Sequence, residues 1–352
     1  MIRVAVGLSG GVDSTLSAML LKEQGYHVIG LSMSIYNGAI PAHITGDACY
    51  GPSEKQDIRD IQKWTESQGI ESYILDLSEP YKKTILKYFK ESYLSGQTPN
   101  PCVMCNTLMK FGLLAEEAHK QGIQFDYFAT GHYARVAQEN GRFVLKKGVD
   151  PHKDQSYFLY RLTREQLART LFPLGEYTKE QVRQMAKDRG LAVAEKADSQ
   201  DFYAGDYADL LQVPDKEGPI VLTNGKILGK HKGFWHYTIG QRKGLGIAYP
   251  EPLYVVDLDA HHNRVIVGTE SETKSSHCEI TQPVWSVLTQ GIEPFDCFVK
   301  YRSAGQLVKA QVVPSGKGIW RVEFDSPQKS LTAGQSAVFY QDNLVLGGGI
   351  IK

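Results

Sequence analysis

Val4-Ala5-Val6-Gly7-Leu8-Ser9-Gly10-Gly11-Val12-Asp13-Ser14 decides how the first half of this 352-residue chain is read. Residues 2–8 form a short apolar run without polar alternation, the pattern of a strand buried on both faces. A helix follows from about Asp13 to Gln24, with Val12, Leu16, Met19 and Leu20 on one face and Gly25 placed to cap its end. Glycines between a strand and a helix let backbone N–H groups approach an anion, and the helix N-terminus adds favourable partial charge. Ser9 and Ser14 offer hydroxyl donors, and Asp13 is a candidate to hold Mg²⁺ against phosphates. The stretch has neither the Lys of a Walker A loop nor a G-x-G-x-x-G fingerprint, so it is a phosphate loop of another kind.

Working outward, apolar runs alternate with helix-period segments. His27–Ile35, Tyr73–Leu77 and Asp126–Thr130 read as further strands. Helices are expected after Ser53, whose pairing with Gln56 has the capping-box form, after Ser78-Glu79-Pro80, from Pro101 to Gln121, and after Thr178 with Gln181. Asn140-Gly141 marks a hairpin. Beyond about residue 205 short β-type runs take over, separated by Gly, Pro and Asn turns. The expected fold class is α/β: a doubly wound, mostly parallel sheet over 1–205, a small β-rich middle module over 206–270, and a C-terminal β-barrel over 271–352.

The composition, 42% hydrophobic and 22% charged, excludes a disordered or fibrous chain. No window approaches the ~18 uninterrupted apolar residues of a membrane helix, so a cytoplasmic location is the expectation. Lys+Arg and Asp+Glu both number 39, which argues at first against a nucleic-acid partner. The zero sum hides a division: residues 226–247 carry Lys226, Lys230, Lys232, Arg242 and Lys243 with no acid, interleaved with Phe234, Trp235 and Tyr237. That stretch suits a phosphate backbone with stacked bases, with Lys232, Arg242 and Lys243 as candidate RNA contacts.

Five cysteines, an odd number, point away from a disulfide framework. Asn100-Pro101-Cys102-Val103-Met104-Cys105-Asn106 sets two thiols three residues apart at a helix start, where both should be thiolate-prone. Sulfur transfer, redox exchange and metal ligation all fit such a pair. Cys49 lies in the loop after the second strand, on the expected ligand edge, and can join it. Cys278 and Cys297 fall in the β region and read as structural.

Ser9 to Ser14, placed directly after the first strand, resembles the pyrophosphate loop of ATP pyrophosphatases, which adenylate a carbonyl oxygen. Further segments extend the resemblance: Asn100 to Asn106, Ala129 to Arg135, Lys153 to Phe158, Phe172 to Gly175 and Tyr237 to Leu245. Together they resemble the tRNA-specific 2-thiouridylase family over nearly the whole chain. The resemblance implies an enzyme that adenylates C2 oxygen of the wobble uridine and replaces it with sulfur, with tRNA and a sulfur-relay protein, a cysteine desulfurase or free sulfide as partners. It implies ATP binding by Gly7, Leu8, Ser9, Gly10, Gly11, Val12, Asp13, Ser14, Met33 and Gly131. Asn100, Pro101 and Cys102 would face the target base, and Cys105 would be the nucleophile. His132, Lys153, Asp154, Gln155, Tyr301, Arg302 and Gln335 would touch tRNA.

One segment departs from the family. Members usually carry a second catalytic cysteine in a Ser-Gln-Asp-Ile-Cys-Phe segment, where this chain has Ser199-Gln200-Asp201-Phe202-Tyr203, and many have Asp at the position of Cys102. Three routes remain open. Cys102 and Cys105 divide the persulfide and resolving roles; or Cys49, Cys102 and Cys105 ligate a [4Fe–4S] cluster that binds hydrosulfide; or the protein adenylates without thiolating. Rival readings are an amidating synthetase of the same superfamily and an RNA-binding protein with a retained nucleotide loop.

Overall fold

The computed structural model describes residues 1–36, 38, 48–198, 201–287 and 293–352. Ser199 and Gln200, quoted above, lie outside the described residues. The chain divides into two compact units. The first holds Met1–Ile85, Pro101–Gly205 and Asp342–Val345; the second holds Leu86–Asn100, Asp206–Gln341 and Leu346–Lys352.

The first unit is built on strands β1 (Arg3–Gly7), β2 (His27–Ser34), β3 (Glu71–Asp76) and β4 (Tyr127–Ala129). A hairpin, β5 (Ala134–Glu139) and β6 (Arg142–Lys147), turns at Asn140-Gly141, both at positive φ as a tight primed turn needs. The short β7 (Thr170–Leu171) completes a five-stranded parallel sheet in the order β3-β2-β1-β4-β7. The chain builds outward from β1 to β3 and then returns to β4 on the other side of β1. That reversal opens a crevice at the carboxyl ends of β1 and β4, where sheets of this kind bind ligands.

Helix α1 (Val12–Glu23) sits between two layers. Ala18 and Leu21 pack on Val4, Val6 and Val28 of the sheet, with Ile61 of α2 (Glu54–Ser67) in the same cluster. Val12, Leu16 and Leu20 face Val182 and Ala186 of α3 (Lys179–Asp188). Val4 and Val6 are fully buried, each burial contributing roughly 1.5–3 kcal/mol. Phe128 pairs with Ala5 in register, on the opposite face from Val6 and Ala129, and its ring meets Phe111 edge-on at 5.4 Å. Helical segments therefore cover both faces, as a doubly wound sheet requires.

Two local expectations are corrected. Ser53 adopts helical backbone angles and makes no side-chain cap, so no capping box forms with Gln56. Glu54 instead accepts the N–H groups of Ile35 and Tyr36, at 2.8 and 2.9 Å, and so fastens the end of β2. The segment expected as one α-helix from Pro101 is α-helical over Pro101–Met104, π-helical over Cys105–Leu113, and α-helical again over Leu114–Lys120. Such wide turns occur disproportionately at functional sites.

The second unit contains a four-stranded sheet of β8 (Gly218–Leu222), β9 (Ile227–His231), β10 (Tyr254–Asp259) and β11 (Arg264–Gly268), in the order β10-β11-β8-β9. It also contains a six-stranded barrel of β12 (Lys274–Trp285), β13 (Phe295–Lys300), β14 (Val308–Gly316), β15 (Ile319–Lys329), β16 (Ser336–Gln341) and β17 (Leu344–Ile351). Pairing of β12 with β17, from Ile280↔Ile351 to Trp285↔Gly347, closes the barrel and removes its edges. Cys278 and Cys297 are buried in it, where desolvation raises both thiols to about 12, as structural cysteines should behave. Among the described residues no helix is long and apolar enough to cross a membrane.

Candidate active site

The phosphate loop is held from both sides. Leu8 N–H donates to Leu31 O at 2.8 Å, and Ser32 Oγ donates to Leu8 O at 3.1 Å, tying the end of β1 to β2. Gly10 has φ +75°, a left-handed angle that an L side chain adopts only with strain. Ser9 N–H donates to Ser14 Oγ at 3.2 Å, and the two hydroxyls lie 3.3 Å apart. Gly11 enters α1 in extended conformation with no side-chain cap, so the first N–H groups of α1 remain for an anion. A Cβ on Gly131, just after β4, would lie 2.6 Å from Asp13 C and 2.7 Å from Ser14 N. Only glycine lets that chain pass so close to the start of α1. Met33, in β2, is half-buried.

Two lysines far along the chain reach this loop, and neither was singled out in the sequence. Lys179, at the first turn of α3, places Nζ 2.8 Å from both carboxylate oxygens of Asp13 and 2.7 Å from Asp198 Oδ1. Tyr133 also donates to Asp13 Oδ1, at 2.8 Å. Lys196 Nζ bridges Asp57 Oδ1 at 2.7 Å and Gly10 O at 3.4 Å. Burial opposes ionisation of Asp198, but hydrogen bonds from Lys153 and Lys179 outweigh it and hold its carboxyl below the usual range. Asp13 thus has both oxygens engaged by protein donors. That arrangement does not fit a protein-held Mg²⁺, so the expectation of a magnesium ligand is revised: Asp13 anchors Lys179 and Tyr133 at the loop.

The thiols form a second cluster in the same unit. Asn100, at the edge of the second unit, and Pro101 are buried, and Cys102 and Cys105 are partly exposed, with Cys105 opening the π-helical turns. Burial, followed by the neighbouring Cys49 and Cys105, pushes the Cys102 thiol up to about 12. Burial raises Cys105 to about 11, opposed by Lys110 and assisted by Cys49. The expectation of thiolate-prone sulfurs at a helix start is therefore corrected. Desolvation and mutual repulsion exceed any help from the helix dipole.

Cys49 is exposed. Its chain is pinned by a bridge from Ala48 to Asp201 and by Tyr50 N–H donating to Phe202 O at 2.8 Å. The Tyr50 ring stacks on Tyr81 at 5.4 Å, and the fully buried Tyr81 phenol is raised by desolvation and then by Cys105, Cys49 and Cys102 together. The charges of three cysteines from two distant stretches thus act on one tyrosine. Among the described residues, however, no three His, Cys, Asp or Glu side chains are arranged to hold a metal ion. The thiols do not fit an iron–sulfur cluster in this arrangement.

Comparisons with known proteins place the chain. Its residues 2–203 match the family model described as tRNA methyl transferase HUP domain, 210–269 the PRC-barrel domain of the same series, and 275–351 an aminomethyltransferase beta-barrel domain. A protein named tRNA-specific 2-thiouridylase MnmA from Endomicrobium trichonymphae is 47% identical over 356 residues, 99% of each chain. The chain belongs to the tRNA-specific 2-thiouridylase family. Family members from Acetivibrio thermocellus and Gloeothece citriformis are each 43% identical, over 99% and 100% of both chains respectively. A solved 4-thiouridine synthetase–RNA complex with bound ATP aligns over 60% of this chain and 46% of its own, at 14% identity and a TM-score of 0.37.

Several residues for which the family resemblance implied tRNA contact have internal partners. His132 Nδ1 lies 2.7 Å from Thr130 Oγ1 among Phe111 and Phe172, and desolvation, then Lys110, holds it well below its ordinary value. It is a neutral imidazole. Asp154 accepts Gly148 and Ser156 N–H groups at 3.1 Å, Gln155 Oε1 accepts Tyr133 N–H at 2.9 Å, and Lys153 pairs with Asp198 at 2.8 Å. These three residues brace the turn after β4. In the second unit, Gln335 Nε2 donates to Thr98 O and Pro99 O, at 2.9 and 3.3 Å, fixing the chain just before Asn100. Arg302 donates to Lys329 O at 3.2 Å, and Tyr301 OH donates to Gln328 at 3.3 Å. Phe234 and Trp235 are buried, so they fill the core and do not offer faces for stacked bases. Lys232, Arg242 and Lys243 are exposed, as a phosphate contact needs.

Proposed function

We propose that this chain is a tRNA uridine 2-sulfurtransferase: it adenylates the C2 oxygen of the wobble uridine with ATP and replaces that oxygen with sulfur, releasing AMP and pyrophosphate. One observation carries the reading. An uncapped pyrophosphate-type loop and a paired-thiol helix start occur in one compact unit of a chain 47% identical to a 2-thiouridylase over 99% of its length. The methyl transferase wording of the family model names no residue of this site, whereas the loop and thiols each have a task in thiolation.

In this mechanism the Ser9–Ser14 loop and the first turn of α1 hold the phosphates, Gly131 leaves room beside them, and Lys179 and Lys196 keep the loop's carboxylate neighbours neutralised. Uracil O2 attacks the α-phosphate and pyrophosphate leaves. Cys105, as a persulfide, attacks C2 through its outer sulfur, and AMP departs. Cys102 then attacks the inner sulfur, Cys105 Sγ; the S–S bond breaks, its electron pair stays on the sulfur bound to C2, and 2-thiouridine leaves a Cys102–Cys105 disulfide. An external dithiol must reduce that disulfide before the next turnover. Mg²⁺ accompanying ATP would be held by phosphate oxygens. The base must leave the anticodon stack to reach the sulfur. Exposed Lys232, Arg242 and Lys243 suit the tRNA backbone, and a cytoplasmic location fits a tRNA-modifying role.

The test mixes the protein with tRNA, α-labelled ATP, a dithiol and a sulfane-sulfur donor. The expected result is tRNA-dependent labelled AMP together with 2-thiouridine in the nucleoside digest. No tRNA-dependent AMP ends the reading, and full thiolation by Cys105→Ala removes Cys105 from its assigned role.

A further inference from the structure

The thiolation reading leaves a problem of access, and this inference rests on that reading. A sulfane sulfur must come from outside, yet Cys102 and Cys105 are protonated, desolvated thiols around the buried Tyr81. A partly buried, protonated thiol reacts slowly with a persulfide held on another macromolecule, because its thiolate character is low and a large donor reaches it less readily than it reaches an exposed thiol. Cys49 differs. It is the exposed member of the three, and it sits between two fixed residues: Ala48 is bridged to Asp201, and Tyr50 is hydrogen-bonded to Phe202 and stacked on Tyr81. Tyr203, beside those anchoring residues, is itself buried and carries no thiol.

We propose that Cys49 is the entry thiol for sulfur, accepting it from a protein persulfide at the surface and passing it inward to Cys105. In the loading step Cys49 thiolate attacks the outer sulfur of the donor's R–S–SH, the donor S–S bond breaks, and R–SH leaves after taking up a proton. In the second step Cys105 thiolate attacks the outer sulfur of Cys49–S–SH, and Cys49 leaves as a thiol. Each step exchanges one S–S bond for another with no net oxidation, so no further redox partner is required until Cys102 resolves the product. Geometry supplies the proximity: Tyr50, next to Cys49, stacks on Tyr81 at 5.4 Å, and Thr84, one turn after Tyr81, donates to Met109 Sδ, one turn after Cys105, at 3.5 Å; in keeping with this, the charge of Cys49 raises both inner thiols.

The experiment traps persulfides by alkylation and reads them by peptide mass spectrometry in full-length protein, supplied either with a persulfidated protein donor or with glutathione persulfide. With the protein donor, Cys105→Ser is expected to accumulate the persulfide on Cys49. Cys49→Ser is expected to load Cys105 more slowly by on the order of 10²-fold, the loss when a positioned transfer becomes a bimolecular encounter. Glutathione persulfide, small enough to reach Cys105 directly, is expected to restore 2-thiouridine formation by Cys49→Ser. Loading of Cys105 at the wild-type rate in Cys49→Ser overturns the proposal. So does anaerobic reconstitution in which wild type binds iron and sulfide and Cys49→Ser does not, since Cys49 is then a cluster ligand. Absence of 2-thiouridine from wild type with glutathione persulfide counts against the thiolation reading itself, whereas trapped sulfur on Cys49 is read separately.

Discussion

The phosphate loop and the thiol cluster belong to the same unit but solve opposite electrostatic problems. Around the loop every described carboxylate already has its cation: Asp13 and Asp198 share Lys179, and Asp57 holds Lys196. Around Tyr81 the groups are held uncharged, with Cys102, Cys105 and the tyrosine itself all raised by burial. In the proposed mechanism this loop meets a highly charged ligand whose own charge then dominates. Burial that keeps the thiols protonated also slows their oxidation. Adenylation needs a fixed cradle; sulfur transfer needs a nucleophile that stays quiet between turnovers.

The largest expected effect tests that dormancy. A thiol with a folded pKa of about 11 is a thiolate in only about one part in 10⁴ at pH 7, so alkylation of Cys105 should rise roughly tenfold per pH unit across that range. Alkylation rates by mass spectrometry check this, and a plateau near neutral pH would show that Cys105 is already ionised and erase the contrast with the loop.

Next in size is Gly131→Ala. The added Cβ would meet Asp13 C at 2.6 Å and Ser14 N at 2.7 Å, both backbone atoms that cannot rotate away. A cost of about 3 kcal/mol is expected, at the upper end for overpacking. ATP affinity, measured by calorimetry, should fall while Cys49 alkylation stays near wild type. Equal damage at both clusters would mean that they are not separable.

Lys179→Met leaves Asp13 and Asp198 without their shared cation. Breaking a fully buried pair costs about 3–5 kcal/mol; here both carboxylates keep some solvent, so roughly 2–3 kcal/mol is expected in chemical denaturation. The pH sign follows from Asp198, whose folded value is depressed. Its contribution is complete above the ordinary aspartate value of 3.8 and is lost as pH falls through the lower folded value. The variant should therefore lose less stability on acidification than wild type, and a steeper acid loss would contradict the assignment.

What could be read from sequence follows the same contrast. Gly10, Ser14 and the first strand are legible because a phosphate loop is a local motif: strand, turn and helix follow one another directly, from Arg3 to Glu23. The sheet was legible for the same reason, since each strand and helix carries its own period. Lys179 and Lys196 were not, because nothing local marks a lysine that folds back across the sheet to a carboxylate far away in sequence. The Cys49 loop was noticed only as a thiol on the ligand edge; its pinning to Asp201 and Phe202 is a tertiary fact. A helix start is visible in sequence, whereas the burial that raises the Cys102 and Cys105 thiols is a tertiary effect. The aromatics of 234–235 misled similarly, since burial cannot be told from exposure without the partner strands.

The smallest expected effect concerns the π-helical turns that begin at Cys105. Widening a helix changes which carbonyls find partners along it, and here two of them are met from outside: Gln166 Nε2 donates to Thr107 O at 3.2 Å and to Phe111 O at 3.0 Å. The same side chain completes the capping box of its own short helix, since its Oε1 accepts Thr163 N–H at 2.9 Å. One glutamine thus joins a helix N-terminus to the wide turns that begin at Cys105. Gln166→Leu keeps the volume and removes all three bonds, so a loss of about 1–2 kcal/mol is expected, read as a lower denaturation midpoint. If the bonds hold the wide turns in place, the variant should also alkylate faster at Cys105 than wild type, because a loosened turn admits water to a thiol that burial had kept protonated. A stability loss with unchanged Cys105 reactivity would confine Gln166 to the capping box and show that the wide turns hold their shape without it.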